Sequence, residues 1–388
     1  MPHAVAVHAR STQLEQVGAV ALFGFLGALQ FSIAVAEILL TVTIVCWFVL
    51  IVLGHEPVAV PQFFWPLVAY AAVTLVSTAF SPEPRVSLLP CKQMVLFLIV
   101  PLVYRFATGP RAAMMVTVIL SFAAASAAIG IFQYGILHYD NLGQRPQGTL
   151  GHYMTYSGLL MLVIGVALAR TLFGRRERTW AALVMPALAV AVVLTFTRSA
   201  WVGACAAAAL LLALKDLRLL AVLPIVAALF FTLAPAAVTK RFISMFDQND
   251  PTSRDRVAML SEGWHMIRAH PIVGIGPNMV QVLYSEYRVP DAVEATNPHL
   301  HNVPVQIAAE RGLPALAVWL WFIVGLIVAL AKRFRVADER FLAAAALAAV
   351  VSMLAAGMFE YNFGDSEFLM LFLTVITLPF AAARTAAA

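Results

Sequence analysis

Charged side chains are scarce in this chain. Asp, Glu, Lys and Arg together make up 12% of its 388 residues, about half of the roughly 25% usual in soluble domains. With 62% hydrophobic residues and a mean hydropathy of +0.88, that scarcity excludes a water-exposed globular enzyme. Cysteine is nearly absent too. Cys46, Cys91 and Cys205 each lie in or beside an apolar run, with no CxxC pairing, which argues against a disulfide framework or a cysteine zinc site. The sequence has no GxxxxGK[ST] loop, no GxGxxG after a strand, no GxSxG elbow, and no HExxH or DxD. ATP hydrolysis and dinucleotide chemistry therefore lack their usual phosphate cradles, and GIGPN at 274–278 reads as a turn. The polar start MPHAVAVHARSTQLEQ lacks the cationic-then-apolar order of a cleavable signal peptide, so the first apolar span is expected to stay in the mature protein.

What fills the chain instead is a series of apolar runs of bilayer-crossing length. Hydropathy places spans near 17–34, 37–54, 63–80, 93–107, 112–136, 153–170, 180–196, 200–214, 218–236, 313–331, 341–358 and 364–382. These make about twelve helices, an all-α polytopic membrane protein, and the even count puts both termini on one side. The net charge of +5 is scattered between spans rather than gathered on one domain, so it reads as a topology signal and not as a nucleic-acid footprint. With cytoplasmic termini, the cytoplasmic loops collect Arg10, Arg105, Arg111, Arg170, Arg175, Arg176, Arg178, Lys215, Arg218, Lys332, Arg333, Arg335, Arg340 and Arg384. The short opposite loops keep only Arg85, Lys92, Arg145 and Arg198.

This division leaves three regions: spans one to nine in 1–236, a long hydrophilic loop in 237–312 on the outer side, and the last three spans in 313–388. A loop this long is usually functional or disordered, and Trp264 with the GIGPN turn argues for order. Its segment PTSRDRVAMLSEGWHMIRAHP predicts a helix starting near Thr252 or Ser253. Thr252 and Asp255 stand at capping-box spacing, Val257, Leu260, Trp264 and Ile267 form one apolar stripe, and Pro271 ends the helix.

Four places draw attention as chemistry. Arg198 in TFTRSAW sits at a tight hairpin between two apolar spans, where an arginine is costly and usually faces a cavity or an anion. Its planar fork suits phosphate oxygens; the plainer reading is a snorkelling helix-end arginine. Arg256, with Arg254 beside it, is placed in the first turn of the loop helix, where free N–H groups and the dipole favour anions; solvated arginines are the alternative. In NPHLHNVPVQIAAERG, Pro304 suits a first helical turn, so His301 and Asn302 stand just ahead of a helix leading to the next span. At that boundary His301 has the proton affinity to act as a base on a sugar hydroxyl. His299 beside it raises the alternative of a metal pair, but a metal wants further convergent ligands, and no metal or other cofactor is expected. Glu310 is about two and a half turns from His301, which favours a structural or helix-pairing role. Lys92 and His152 open other spans on the outer side, as weaker candidates for the same cavity.

HNVPVQIAAERG at 301–312, the loop stretch SRDRVAMLSEGWHMIRAHPIVGIGP and the hairpin TRSAWVG together resemble the O-antigen ligase family, the WaaL group of the O-antigen ligase/polymerase superfamily. The likeness runs through essentially the whole chain, since about twelve spans with one large loop before the last three is that family's layout. It implies a membrane-embedded glycosyltransferase of GT-C architecture in the bacterial inner membrane, working at the periplasmic face. Such an enzyme moves a glycan from undecaprenyl pyrophosphate to lipid A–core oligosaccharide, without nucleotide sugar, ATP or metal. It implies His301 as general base and Arg198 with Arg256 or Arg254 as pyrophosphate ligands. Asn302, His299, Lys92, His152 and Glu310 are carried as supporting or acceptor-side residues. An O-antigen polymerase and a protein O-oligosaccharyltransferase use the same lipid-linked donor and are the alternatives.

Overall fold

The computed structural model describes residues 2–54, 57–247, 249–337 and 340–384, with side chains from Thr12 onward. Arg10 and the last four residues, which enter the topology argument, lie outside the described side chains. Every regular element among the described residues is helical. In chain order these are α1 (Pro2–Ala28), α2 (Ile33–Gly54), α3 (Phe64–Ala79), α4 (Pro84–Leu88), α5 (Ile99–Phe106), α6 (Pro110–Gly135), α7 (Tyr153–Phe173), α8 (Arg178–Leu194) and α9 (Arg198–Lys215). They continue as α10 (Val222–Leu233), α11 (Ala236–Ile243), α12 (Pro251–Ala269), α13 (Met279–Tyr287), α14 (Val303–Val336), α15 (Arg340–Gly357) and α16 (Ser366–Ala382). Seven helical stretches are long and apolar enough to cross a membrane, and four shorter apolar helices accompany them. The protein is an all-α polytopic membrane protein.

The predicted spans and the observed helices agree to within a few residues at most ends, because the apolar period is the strongest local signal. Three spans differ. The one expected at 17–34 lies in α1, which already begins at Pro2 and ends at Ala28. The span expected at 93–107 begins at Pro84, and its first half is a 3-10 helix over Leu89–Leu98. The span expected from 313 is the second part of α14, which already begins at Val303. Gly312 breaks that helix with φ 82° and ψ 169°, a conformation only glycine adopts freely. A Cβ there would also stand 2.0 Å from the Ile272 carbonyl oxygen.

The break has an orderly hydrogen-bond consequence. Pro314 has no N–H to offer Glu310 four residues back, and Leu313 N donates instead to Pro271 O at 2.8 Å. The carbonyls so released are taken up by the GIGPN turn: Ile275 N donates to Ala309 O at 2.9 Å and Gly276 N to Glu310 O at 2.8 Å. Ser77 Oγ of α3 also donates to Glu310 O, at 2.9 Å. The loop is thereby tied to the helix that follows it.

α7, α15 and α16 form the buried centre, with α15 packed on α7, α9, α14 and α16. The alanine-rich face of α15 permits this closeness, as small residues do between membrane helices. At the other extreme α10 buries no residue. α11–α13 gather at one end of the bundle. α12 turns Asp255, Met259, Glu262, Met266 and Ile267 inward, while Val257, Leu260 and Trp264 are exposed. The expected stripe therefore faces out, except for Ile267. The inward face is mixed: Met259, Met266 and Ile267 pack with Met279, Val280, Ala308 and Ala309 of α13 and α14, while Asp255 and Glu262 meet the irregular chain at 288–297. Asp255 accepts from Val293 N, Glu294 N and Asn297 Nδ2 at 3.0, 3.0 and 3.1 Å, and Glu262 from Val289 N at 3.1 Å. Asp255 is thus no capping partner. Asp250 caps α12, accepting from Ser253 N at 3.2 Å with Pro251 in the first turn.

Candidate active site

α12 holds the 288–297 segment in place, and that segment delivers the chain to His299 and His301. Gly263 lets α12 approach Leu300 and the first turn of α14 closely, since a Cβ there would stand 2.5 Å from Val305 and 2.9 Å from Leu300. Asn302 caps α14, its Oδ1 accepting from Val305 N at 3.0 Å, and its Nδ2 donates to Met358 O at 3.1 Å. This second bond joins the start of α14 to the α15–α16 loop, which carries Glu360. His301, immediately before the cap, has a left-handed φ of 48°, a costly backbone state that tends to occur at functional sites.

Both histidines converge on Glu360. His299 Nε2 lies 2.9 Å from Glu360 Oε1 and His301 Nδ1 lies 3.0 Å from Oε2, with the two rings 4.2 Å apart. Tyr361 N also donates to Oε1, at 3.1 Å. Burial alone would raise the Glu360 carboxyl, but the bonds from His299 and His301 outweigh it and hold the group well below the usual carboxylate range. An ionised carboxylate only accepts, so both ring nitrogens donate. When the His301 ring is neutral, its proton is therefore on Nδ1 and Nε2 is available as a base. The three residues also have donor atoms within 4.8 Å of one another, a spacing a metal ion could use, and they are the residues that would hold one. Each Glu360 oxygen already accepts a ring N–H, so the geometry is complete as a hydrogen-bonded triad.

His301 lines a cleft of about 330 Å³ together with Arg198, Arg256 and an apolar wall that includes Phe246, Val257 and Leu260. Arg198 opens α9 behind a turn in which Phe196 has φ 56°, and it is 5% exposed. Its Nη2 donates to Asp250 Oδ1 at 3.1 Å, and its Nη1 to Ser244 O at 3.2 Å and Oγ at 3.3 Å. Arg256 stands in the second turn of α12 rather than the first, and its buried Nε has no hydrogen-bond partner.

Two further arginines belong to this group. Arg241 of α11 approaches Asp250 at 3.9 Å, and its Nε is also buried without a partner. Arg145, from the α6–α7 loop, lies 4.2 Å over the Tyr153 ring and within electrostatic reach of Arg198. Burial first, then repulsion from Arg198 and Arg145, lowers Arg241 to about 10. Burial lowers Arg256 as well, with Arg198 adding to the effect. Burial would raise Asp250, yet Arg198 holds it below its ordinary value. Arg198 and Arg241 thus flank one aspartate, with Arg256 and Arg145 within electrostatic reach of Arg198. Such an excess of part-buried positive charge is expensive without an anion.

The other candidates fall elsewhere. Arg254 is exposed and lines an adjoining groove with Asp247 and Asp291, across Phe246, Ser253 and Val257 from the His301 cleft. Lys92 is exposed on the 3-10 segment and lines neither the His301 cleft nor the cavity behind Glu360. Glu310 is buried away from the cleft, its Oε2 accepting from Arg311 Nη1 at 2.7 Å, consistent with the structural role expected of it. His152 caps α7 and lines the cavity behind Glu360. Residues 184–320 match the family model described as O-antigen ligase.

That stretch is similar to the O-antigen ligase family. No curated protein matches the chain. The matched interval runs from α8 to the middle of α14, so it contains Arg198, Arg241, Arg256, His299 and His301 but neither Arg145 nor Glu360. Sequence reasoning missed those last two and Arg241. Arg145 had a signal, as one of the few cations in the charge-poor loops. Glu360 had a weaker one, a carboxylate in a short connection between apolar spans; its link to His301 crosses 59 residues and is a tertiary fact.

Proposed function

We propose that this protein is an O-antigen ligase. It would join a glycan from undecaprenyl pyrophosphate to a sugar hydroxyl of lipid A–core oligosaccharide at the periplasmic face of the bacterial inner membrane, with both termini cytoplasmic. The observation that carries the reading is a base and an anion site in one cleft: His301, with Nε2 free and Nδ1 held by Glu360, beside Arg198 and Arg256. The family match supports the same chemistry.

In this mechanism the arginines hold the pyrophosphate of the donor. The apolar wall at Phe246, Val257 and Leu260 accommodates the start of its isoprenoid chain. His301 Nε2 removes the proton of the acceptor hydroxyl, and the oxygen attacks the anomeric carbon. The bond from that carbon to the phosphate oxygen breaks and its electron pair stays on the pyrophosphate, whose negative charge rises by one. The excess of guanidinium groups stabilises that developing charge. Glu360 stabilises the imidazolium as it forms and keeps the ring in the reactive tautomer, the role a buried carboxylate plays beside a catalytic histidine. Direct displacement inverts the anomeric configuration.

The test is reconstitution of purified protein with undecaprenyl-pyrophosphate-linked glycan and lipid A–core, in EDTA and without ATP. The expected product is a gel-shifted lipopolysaccharide band of inverted linkage that is lost with His301→Ala. Longer carrier-linked glycan in place of that band would identify a polymerase. A product with retained configuration, or a trapped glycosyl-enzyme, would overturn the direct displacement. EDTA sensitivity restored by a divalent cation would assign the His299–His301–Glu360 triad to a metal.

A further inference from the structure

Behind the His299–Glu360 edge lies a second cavity, of about 220 Å³. It is smaller than the roughly 300–1,000 Å³ of pockets that bury drug-sized ligands, and so suits a single ring-sized group. It descends between the first turns of α7 and α9 and the α15–α16 connection. Ser199 lines both this cavity and the arginine cleft, so the two meet beside the histidines.

Their chemistry is opposite. No lysine or arginine lines the inner cavity, and its ionisable groups are His152, His299, Glu360, Tyr361 and Asp365. A phosphate placed there would face carboxylates rather than guanidinium groups. The cavity offers acceptors and hydroxyls instead. Thr155 Oγ1 donates to Asp365 Oδ2 at 2.5 Å. Asn362 is 7% exposed, its Nδ2 donates to Met353 O at 3.1 Å, and its buried Oδ1 has no partner. That oxygen packs beside Gly357 and is closed off from the cavity, so the acceptors on the cavity wall are the Asp365 and Glu360 carboxylates. The floor is apolar, with Met161, Ala356 and Phe368, the kind of surface a sugar's C–H face covers.

We propose that this cavity is the acceptor subsite, binding one uncharged sugar ring of the acceptor through hydroxyl donors to the Asp365 and Glu360 carboxylates. The proposal rests on the transfer reaction inferred above and names where its second substrate sits. In-line displacement requires the attacking oxygen to approach the anomeric carbon from the side opposite the departing phosphate. With phosphate held by Arg198 and Arg256, the acceptor enters from the His299–Glu360 side, past Ser199, and presents its reacting hydroxyl to His301 Nε2.

Two variants, Thr155→Val and Asp365→Asn, are compared with the wild type in the reconstituted assay, with thermal midpoints measured to confirm folding. A rise of about tenfold in the acceptor KM, with the donor KM within twofold, supports the subsite. A rise in donor KM with acceptor KM unchanged assigns the cavity to the donor and overturns it, as does a folded pair of variants with neither constant altered. A separate titration removes dependence on turnover: saturation-transfer NMR of a neutral methyl hexoside on the wild type, without donor. Signal lost in the variants and unaffected by inorganic pyrophosphate is expected. Absence of any hexoside signal would overturn the subsite even if transfer occurs, whereas hexoside binding without transfer would overturn the ligase reading alone.

Discussion

At His301 a strained backbone, a free Nε2 and a carboxylate partner coincide. Replacing His301 by Ala is expected to lower kcat by about 10²–10⁴, the usual share of a general base, with little change in donor KM. Glu360→Gln keeps the shape but loses the charge that steadies an imidazolium, and should lower kcat as well. It also carries a pH signature. The folded-state carboxyl lies below its unfolded value, so its contribution to stability is present above the ordinary glutamate pKa of about 4.3 and disappears as pH falls through the folded value. Thermal midpoints of the wild type and Glu360→Gln in detergent should therefore differ at neutral pH and converge in acid. Among the arginines, Arg145→Ala and Arg241→Ala are expected to raise the donor KM as Arg198→Ala does, whereas exposed Arg254→Ala should leave it within about twofold. Equal effects at Arg254 and Arg256 would contradict the assignment of the anion site.

At the level of elements, the break in α14 decides where the histidines sit. Gly312, Pro314 and the GIGPN turn form one hydrogen-bonded unit. Gly312→Ala is expected to destabilise by at least about 1–3 kcal/mol from backbone strain alone, with the contact at Ile272 O adding to it; differential scanning fluorimetry in detergent measures the shift. Asn302→Ala removes a helix cap for which about 1 kcal/mol is typical, and also the bond to Met358 O that ties α14 to the Glu360 loop. Its effect on kcat should accordingly exceed that of a cap alone. The sequence shows the ends of most helices because caps, prolines and apolar runs are local. It misleads at α12, where the apolar stripe is exposed and the inward face is chosen by α14 together with the irregular 288–297 segment, partners no periodicity reveals.

For the whole molecule, the charge asymmetry of the loops sets an orientation that can be checked directly. In spheroplasts with the native cysteines replaced, a membrane-impermeant maleimide should label Ser261→Cys on α12 and spare Arg175→Cys between α7 and α8; the reverse pattern would invert the proposed topology. Composition and hydropathy by themselves determined that the chain is an all-helical membrane protein with one large hydrophilic insertion, because burial in a bilayer is written in long apolar runs that need no tertiary partner. Motif order alone also marked Arg198, Arg256 and His301. Only the tertiary structure separated Arg256 from Arg254, gathered Arg145 and Arg241 beside them, and set Glu360 against both histidines. Those choices depend on which face of a helix packs inward and which distant loops meet, and neither is encoded in the spacing of any single segment.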